Sequence, residues 1–330
     1  MQALRYYGIH DVRVEEIEKP ICQDDEVLIK IAYAGICGSD LHIYNKGMFI
    51  QNIPETMGHE FDGVVVEVGK NIQNLKLGDK VIANPMVPCM TCKSCKKGSY
   101  NTCEALGFIG EVSQGCFTEY IALKEAAVIK VAENADLKMV ALSEPLAVAV
   151  NICRRASFVP RDRIALIGAG PIGLLTIALA YQVYGVHDIT VVDLSEKRLE
   201  LAKKLGARRA VKTLEKGECF HKIVEAAGAP ATFSLATKHV DSNSFIYVVS
   251  IFEKEFDIDI NALVAAQATL VGCNVYTDDD LRTAASYITE NRVEISPVIS
   301  AEYQLKDGKK AFELLSSVDK NAAKILFQMK

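Results

Sequence analysis

Apolar residues recur along the first third of the chain in short runs rather than in helical stripes. Residues 26–34 and 61–68 are rich in valine and isoleucine and are bounded by glycine or acidic turns, the pattern of strands, so this part is expected to be largely β. Between Pro85 and Cys103 the apolar pattern stops, and Cys, Gly, Lys and Asn dominate. Something other than burial must hold that segment. After Val159-Pro160 the rhythm changes to a strand at 163–168, a helix at 171–184, a strand at 188–193 and a helix at 195–205 closed by Gly206. Further apolar runs follow at 222–226 and 244–251. Such alternation implies right-handed crossovers and a parallel, doubly wound sheet. Residues 278–291 read as a helix whose acidic first turn suits its dipole. The helix 307–316 and the apolar run 323–328 are left over and are expected to return to the first part of the chain.

Length and composition fit this picture. A chain of 330 residues exceeds the usual single core, so two domains are expected. With 50% hydrophobic and 24% charged residues it should fold as a globular protein. The net charge of -5 comes without a long basic run, which argues against nucleic acid as a partner. The first 11 residues lack a leader pattern, and no later stretch offers the roughly 20 uncharged apolar residues of a membrane helix, so a cytoplasmic location is expected. No internal repeat or low-complexity tract stands out.

Ten cysteines in a chain neither short nor visibly secreted point to metal rather than to a disulfide scaffold. Cys89, Cys92, Cys95 and Cys103 stand at C-x2-C-x2-C-x7-C, a spacing that brings four thiolates around a structural Zn²⁺. An iron–sulfur cluster uses the same donors. A nucleic-acid zinc ribbon would draw on Lys93, Lys96 and Lys97, but no aromatic or basic continuation follows them, and they read as a solvated face.

Gly168-Ala169-Gly170-Pro171-Ile172-Gly173 is G-x-G-x-x-G set between an apolar strand and a helix. The first glycine permits the tight turn, the second admits a pyrophosphate against the backbone, the third lets the helix pack closely, and the helix N-terminus attracts phosphate. Asp193 ends the next strand, 20 residues after Gly173, where a carboxylate accepts hydrogen bonds from the adenosine ribose. This favours NAD over NADP, although Lys197 and Arg198 beside it would soften repulsion of a 2′-phosphate.

A second set of donors is dispersed: Cys37, Ser39, Asp40 and His42 in Gly35-Ile36-Cys37-Gly38-Ser39-Asp40-Leu41-His42, then His59-Glu60, then Glu144-Pro145. Spacing alone does not make them a site. Together with the four-cysteine lobe, the stretch EPLAVAVNICRR at 144–155 and the glycine motif, they make the chain resemble the zinc-containing medium-chain dehydrogenases nearly end to end, within them the sorbitol and related polyol dehydrogenases. The resemblance implies an α/β protein with a Rossmann NAD-binding domain at 147–276. It implies a mainly β, GroES-like catalytic domain at 1–146 and 277–330, with the zinc lobe at 85–104. Two zinc ions per chain, NAD(H), a small polar alcohol or carbonyl substrate, and a homodimer or homotetramer follow from it.

The resemblance further implies that Cys37 and His59 bind a catalytic zinc, with Glu60 or Glu144 as the remaining protein ligand, directly or through water. Glu144 stands where simple alcohol dehydrogenases often have cysteine, and the harder donor suits the polyol branch. Asp40 would orient His59. Ser39 would accept the alcohol proton and pass it through the cofactor ribose toward His42. Arg198 would lie at the cofactor site, and Tyr44 and Phe49 are candidates for the substrate pocket. The family's usual Gly-Gly-Phe is here Gly115-Cys116-Phe117, and a usual glycine after the fifth Rossmann strand is Ser250. The expected activity is interconversion of a secondary alcohol of a polyol, sugar or sugar acid with its ketone. The alternatives are a simple alcohol dehydrogenase or aldehyde reductase, and a non-catalytic NAD-binding regulator.

Overall fold

The structure, a computed structural model, describes residues 1–317 and 321–329. Its chain divides into two compact units, Met1–Pro145 with Thr277–Asn291 and Ile299–Lys330, and Leu146–Tyr276 with Arg292–Val298.

In the first unit the strand Glu26–Gly35 is the axis of a seven-stranded sheet. It pairs along one edge with Glu60–Val68; its other edge is shared by Tyr120–Lys124, opposite residues 26–30, and by Lys324–Gln328, opposite residues 33–35. Val27, Leu28 and Ile29 alternate between the two faces of this strand and all are buried, so both faces are covered there, which accounts for the unbroken apolar stretch. The N-terminal strands Gln2–Gly8 and Asp11–Glu16, which the apolar pattern did not reveal, form a small separate sheet with Glu55–Thr56. The C-terminal elements fill the core of this unit: the Phe117 ring meets Phe312 of helix Gly308–Ser316 and Phe327 of the last strand edge-on, at 6.2 and 5.1 Å. Edge-on contacts of this kind add to the stabilisation that burial brings.

The second unit holds six parallel strands in the order Arg209–Val211, Asp188–Val192, Arg163–Ile167, Phe220–Glu225, Val240–Val248, Thr269–Gly272. Numbered from Arg163–Ile167 this is 3-2-1-4-5-6, the doubly wound dinucleotide-binding order. Helix Pro171–Gln182 is buried continuously from Gly173 to Ala180, as its apolar sequence on all sides requires. Helix Glu196–Lys204 starts at Ser195, whose hydroxyl accepts from the Arg198 N–H at 3.4 Å.

One segment is grouped differently from the sequence reading. Residues 292–298, expected in the catalytic domain, group with the second unit, because the Gln182 side chain both donates to the Glu294 carbonyl and accepts from its N–H, at 3.1 and 2.7 Å. The division after Pro145, inside the helix Ser143–Ala156, lies one residue from the expected one.

Candidate metal centres and nucleotide site

The segment with little apolar content is organised around sulfur. Cys89, Cys92, Cys95 and Cys103 bring their Sγ atoms within 4.8 Å of one another, with Cys89 and Cys95 4.0 Å apart. Four sulfurs at 2.3 Å from a zinc ion would be separated by about 3.8 Å. Backbone N–H groups point at the sulfurs: Cys89 N to Cys103 Sγ at 3.2 Å, Cys92 N to Cys89 Sγ at 3.4 Å and Ala105 N to Cys103 Sγ at 3.4 Å. The Thr91 hydroxyl and the N–H groups of Thr91 and Cys92 draw the Cys89 thiol down to about 6, while burial and the neighbouring sulfurs push Cys95 up to about 12. Four adjacent thiolates need a cation to ionise together, so the donor set fits a structural zinc. Lys93, Lys96 and Lys97 are exposed, as a solvated face should be.

The second cluster is assembled by the central sheet. The register that sets Gly35 opposite Glu60 brings the end of one strand, and Cys37 just beyond it, to the start of the next, where His59 and Glu60 stand. Cys37, His59 and Glu60 offer donor atoms within 4.8 Å of one another. Cys37 also caps helix Gly38–Lys46, and its N–H donates to Asp40 Oδ2 at 2.8 Å. Asp40 Oδ1 lies 4.0 Å from His59 Nδ1, close enough for attraction but too far for a hydrogen bond. Burial pushes the Asp40 carboxyl up. Burial works against a charged His59, but Cys37, Asp40 and Glu144 outweigh it and hold the imidazole well above its ordinary value. Ser39 Oγ, Asp40 Oδ1 and His59 Nδ1 are buried without a hydrogen-bond partner.

Sequence reasoning missed the group that neutralises Glu60. Lys324, on the C-terminal strand, is 1% exposed and donates to both Glu60 oxygens at 2.7 Å and to the Ile36 carbonyl at 2.9 Å. Burial alone would drive off its proton, but Glu60, with Cys37 and Glu144 nearby, holds the ammonium above its ordinary value. A lysine among many, 264 positions from its partner, carries no local signal. Glu144 is buried in the first turn of its helix, within electrostatic reach of His59 and Lys324. One ammonium thus faces a thiol and several carboxyls in a buried space, and this donor chemistry fits a divalent cation.

The neighbouring expectations divide. Tyr44 is 3% exposed and packs in the core against His10 and Phe312, both ring contacts at 5.0 Å, because its helix turns Ile43 and Tyr44 inward. Phe49 is exposed, with left-handed backbone at φ +69°, and meets His42 edge-on at 6.1 Å. Ser39 and His42 are one helical turn apart on Gly38–Lys46. Cys116, in place of the usual glycine, is fully buried and its thiol points to the Glu60 carbonyl at 3.7 Å. The Ser250 hydroxyl donates to the Glu225 carbonyl at 3.3 Å.

In the second unit Gly168 has φ +102°, and a side chain on Gly173 would come within 2.0 Å of the Gly168 carbonyl, so turn and helix touch through backbone. Gly170 caps the helix, Pro171 opens it and Ile172 follows in its first turn; space around Gly170 is open, as close approach of a ligand needs. Asp193 accepts from the Ala169 N–H and the Ser195 N–H, both at 2.8 Å. Its carboxylate is therefore locked to the glycine turn. Arg198 is half-buried and lies within electrostatic reach of Asp193; burial lowers its pKa.

Two family models match the chain, an alcohol dehydrogenase GroES-like domain over residues 23–133 and a zinc-binding dehydrogenase over residues 171–290. The chain is 33% identical over 327 residues to a probable D-xylulose reductase A of Aspergillus clavatus, covering 93% of this chain and 91% of the relative. It resembles the crystal structure of galactitol-1-phosphate dehydrogenase from Escherichia coli with a TM-score of 0.91 at 28% identity, over 99% of this chain and all of the other. The 2R,3R-butanediol dehydrogenase of Bacillus subtilis is similar at a TM-score of 0.90 and 32% identity, with 99% of each chain covered.

Proposed function

Because this chain belongs to the zinc-containing medium-chain dehydrogenases, in their polyol-type branch, we propose that it interconverts a secondary alcohol of a polyol, sugar or sugar acid with its ketone, using NAD. The observation that carries this reading is the buried convergence of Cys37, His59 and Glu60. These three hold the catalytic zinc in the proposal, with Glu144 joining directly or through water, and the four cysteines of the lobe hold a structural zinc. When bound, zinc supplies a Lewis acid that lowers the pKa of the substrate hydroxyl, and nicotinamide supplies the hydride acceptor. The rest is done by side chains. Ser39, its buried oxygen without a partner, takes the hydroxyl proton and hands it toward His42. Asp40 holds the orientation of His59. Gly168, Gly170, Pro171, Ile172 and Gly173 present backbone to the pyrophosphate, with Arg198 at the adenosine side. Asp193, aimed by its two N–H donors, accepts from the ribose.

Metal analysis joined to a substrate panel tests the reading. Two zinc ions per chain are expected, with NAD-dependent turnover of a vicinal diol faster than that of its mono-alcohol. Equal rates would point to a simple alcohol dehydrogenase, and a full metal complement without turnover to a regulator. Asp193→Ala is expected to cut the NAD:NADP ratio of kcat/KM by about tenfold or more, the loss of one charge-assisted hydrogen bond and of one like-charge repulsion. An unchanged ratio would remove Asp193 from the site. The proposal places the protein in the cytoplasm as a homodimer or homotetramer. Among the described residues no helix is long and apolar enough to cross a membrane.

A further inference from the structure

Glu111 takes part in none of these roles, and its position is built. It ends a tight turn in which its N–H donates to the Phe108 carbonyl at 3.1 Å and Gly110 adopts φ +80°. That turn is pressed on the segment before His59: a side chain at Gly110 would stand 2.6 Å from the Gly58 backbone, so only glycine lets the two chains touch. From the other side the Gln51 N–H donates to the Glu111 carbonyl at 2.9 Å. The residue is 8% exposed. Its carboxyl is approached by the Ser39 hydroxyl and lies within electrostatic reach of His59 and Asp40. Burial raises its pKa, with His59 opposing, Asp40 assisting and Ser39 opposing. Ser39 Oγ closes no hydrogen bond of normal geometry, and among the described residues that act on the Glu111 carboxyl His59 is the one cation, with no lysine or arginine beside it. Glu111 also stands outside the group of converging metal donors. A carboxyl largely withdrawn from water costs free energy, and such groups collect where a ligand completes their surroundings.

We propose that Glu111 is a specificity-determining residue whose carboxylate accepts a hydrogen bond from a hydroxyl or ammonium group borne by the substrate near its reacting carbinol, and disfavours a carboxylate or phosphate there. This rests on the dehydrogenase reading and narrows its substrate class to donor-bearing polyols or amino alcohols, against sugar acids and sugar phosphates.

The test uses four alcohols on one skeleton, 2-propanol, 1,2-propanediol, 1-amino-2-propanol and lactate, with the zinc-loaded enzyme and NAD. In Glu111→Gln the kcat/KM of the diol and of the amino alcohol, each relative to 2-propanol, is expected to fall about tenfold, mainly through KM, while the relative value for lactate rises. A larger fall for the amino alcohol marks an ammonium substrate, and a larger fall for the diol a polyol. Glu111→Asp, which keeps the charge on a shorter arm, should lie between. Ratios within twofold of wild type in a folded variant, whatever happens to the absolute rates, would overturn the assignment and leave Glu111 a structural residue. Calorimetric titration with 1-amino-2-propanol separates this failure from that of the dehydrogenase reading. A wild-type protein that oxidises none of the four, yet binds the amine about tenfold more tightly than Glu111→Gln, would sink the dehydrogenase and keep the site. Turnover with unchanged ratios and unchanged binding would do the reverse.

Discussion

Cys37→Ser is expected to lower the zinc content from two ions per chain to one and to reduce kcat/KM by about a thousandfold or more, since a direct ligand should count for more than the 10- to 100-fold typical of its supporting partners. The cause is local. A serine hydroxyl stays protonated at neutral pH and offers a poor donor, whereas a cysteine gives up its proton on binding and offers zinc a soft sulfur ligand. His59 would then remain buried beside Asp40, with Glu60 held by Lys324, and these two donors do not make a zinc site. Elemental analysis against protein concentration, paired with steady-state rates, decides the matter. Two zinc ions retained per chain would remove Cys37 from the ligand set.

Cys95→Ser should take away the other zinc and lower the melting temperature by about 10 °C or more. Structural zinc in small domains is worth about 10–16 kcal/mol of apparent binding free energy, and for domains of 150–250 residues each kcal/mol moves the midpoint by roughly 2–4 °C. Cooperative melting of the whole first unit is not required, because a lobe with little apolar core of its own can open locally. The expected shift is therefore well short of the full binding free energy. Cys95, on its short helix, is the most buried member of the set, so its loss opens the cluster from inside. Calorimetry and metal content together identify the effect: an unshifted midpoint with two zinc ions still bound would mean that these four sulfurs hold no metal. The two cysteine variants should be complementary, each keeping the ion that the other loses.

Much of this architecture is legible because its causes lie close together in the chain. The strand 163–167, the glycine turn and the helix that follows are contiguous, and the backbone contact between Gly168 and Gly173 depends on no distant residue. The four sulfurs of the lobe lie within 15 positions of one another, so their spacing nearly dictates their meeting. Asp193 marks itself by its place at the end of a strand, although its two backbone donors are visible only in the fold.

Elsewhere the sequence is silent because the deciding contact joins remote segments. Tyr44 and Ser39 lie on one helix, and nothing local says that Tyr44 turns into the core while the Ser39 oxygen stays buried and unpaired. Residues 292–298 change unit through two hydrogen bonds to Gln182. Lys324 reaches Glu60 because the last strand slots beside Glu26–Gly35, and Glu111 comes to the segment before His59 because two glycine-bearing turns touch.

The sequence by itself determined the alternation of strand and helix, the nucleotide turn and the sulfur lobe, each a matter of short-range periodicity or spacing. Only the tertiary structure decided which buried charges face one another around Cys37 and His59. Sheet register and glycine contacts, not proximity in the chain, set those distances, and a buried charge depends on its neighbours in space.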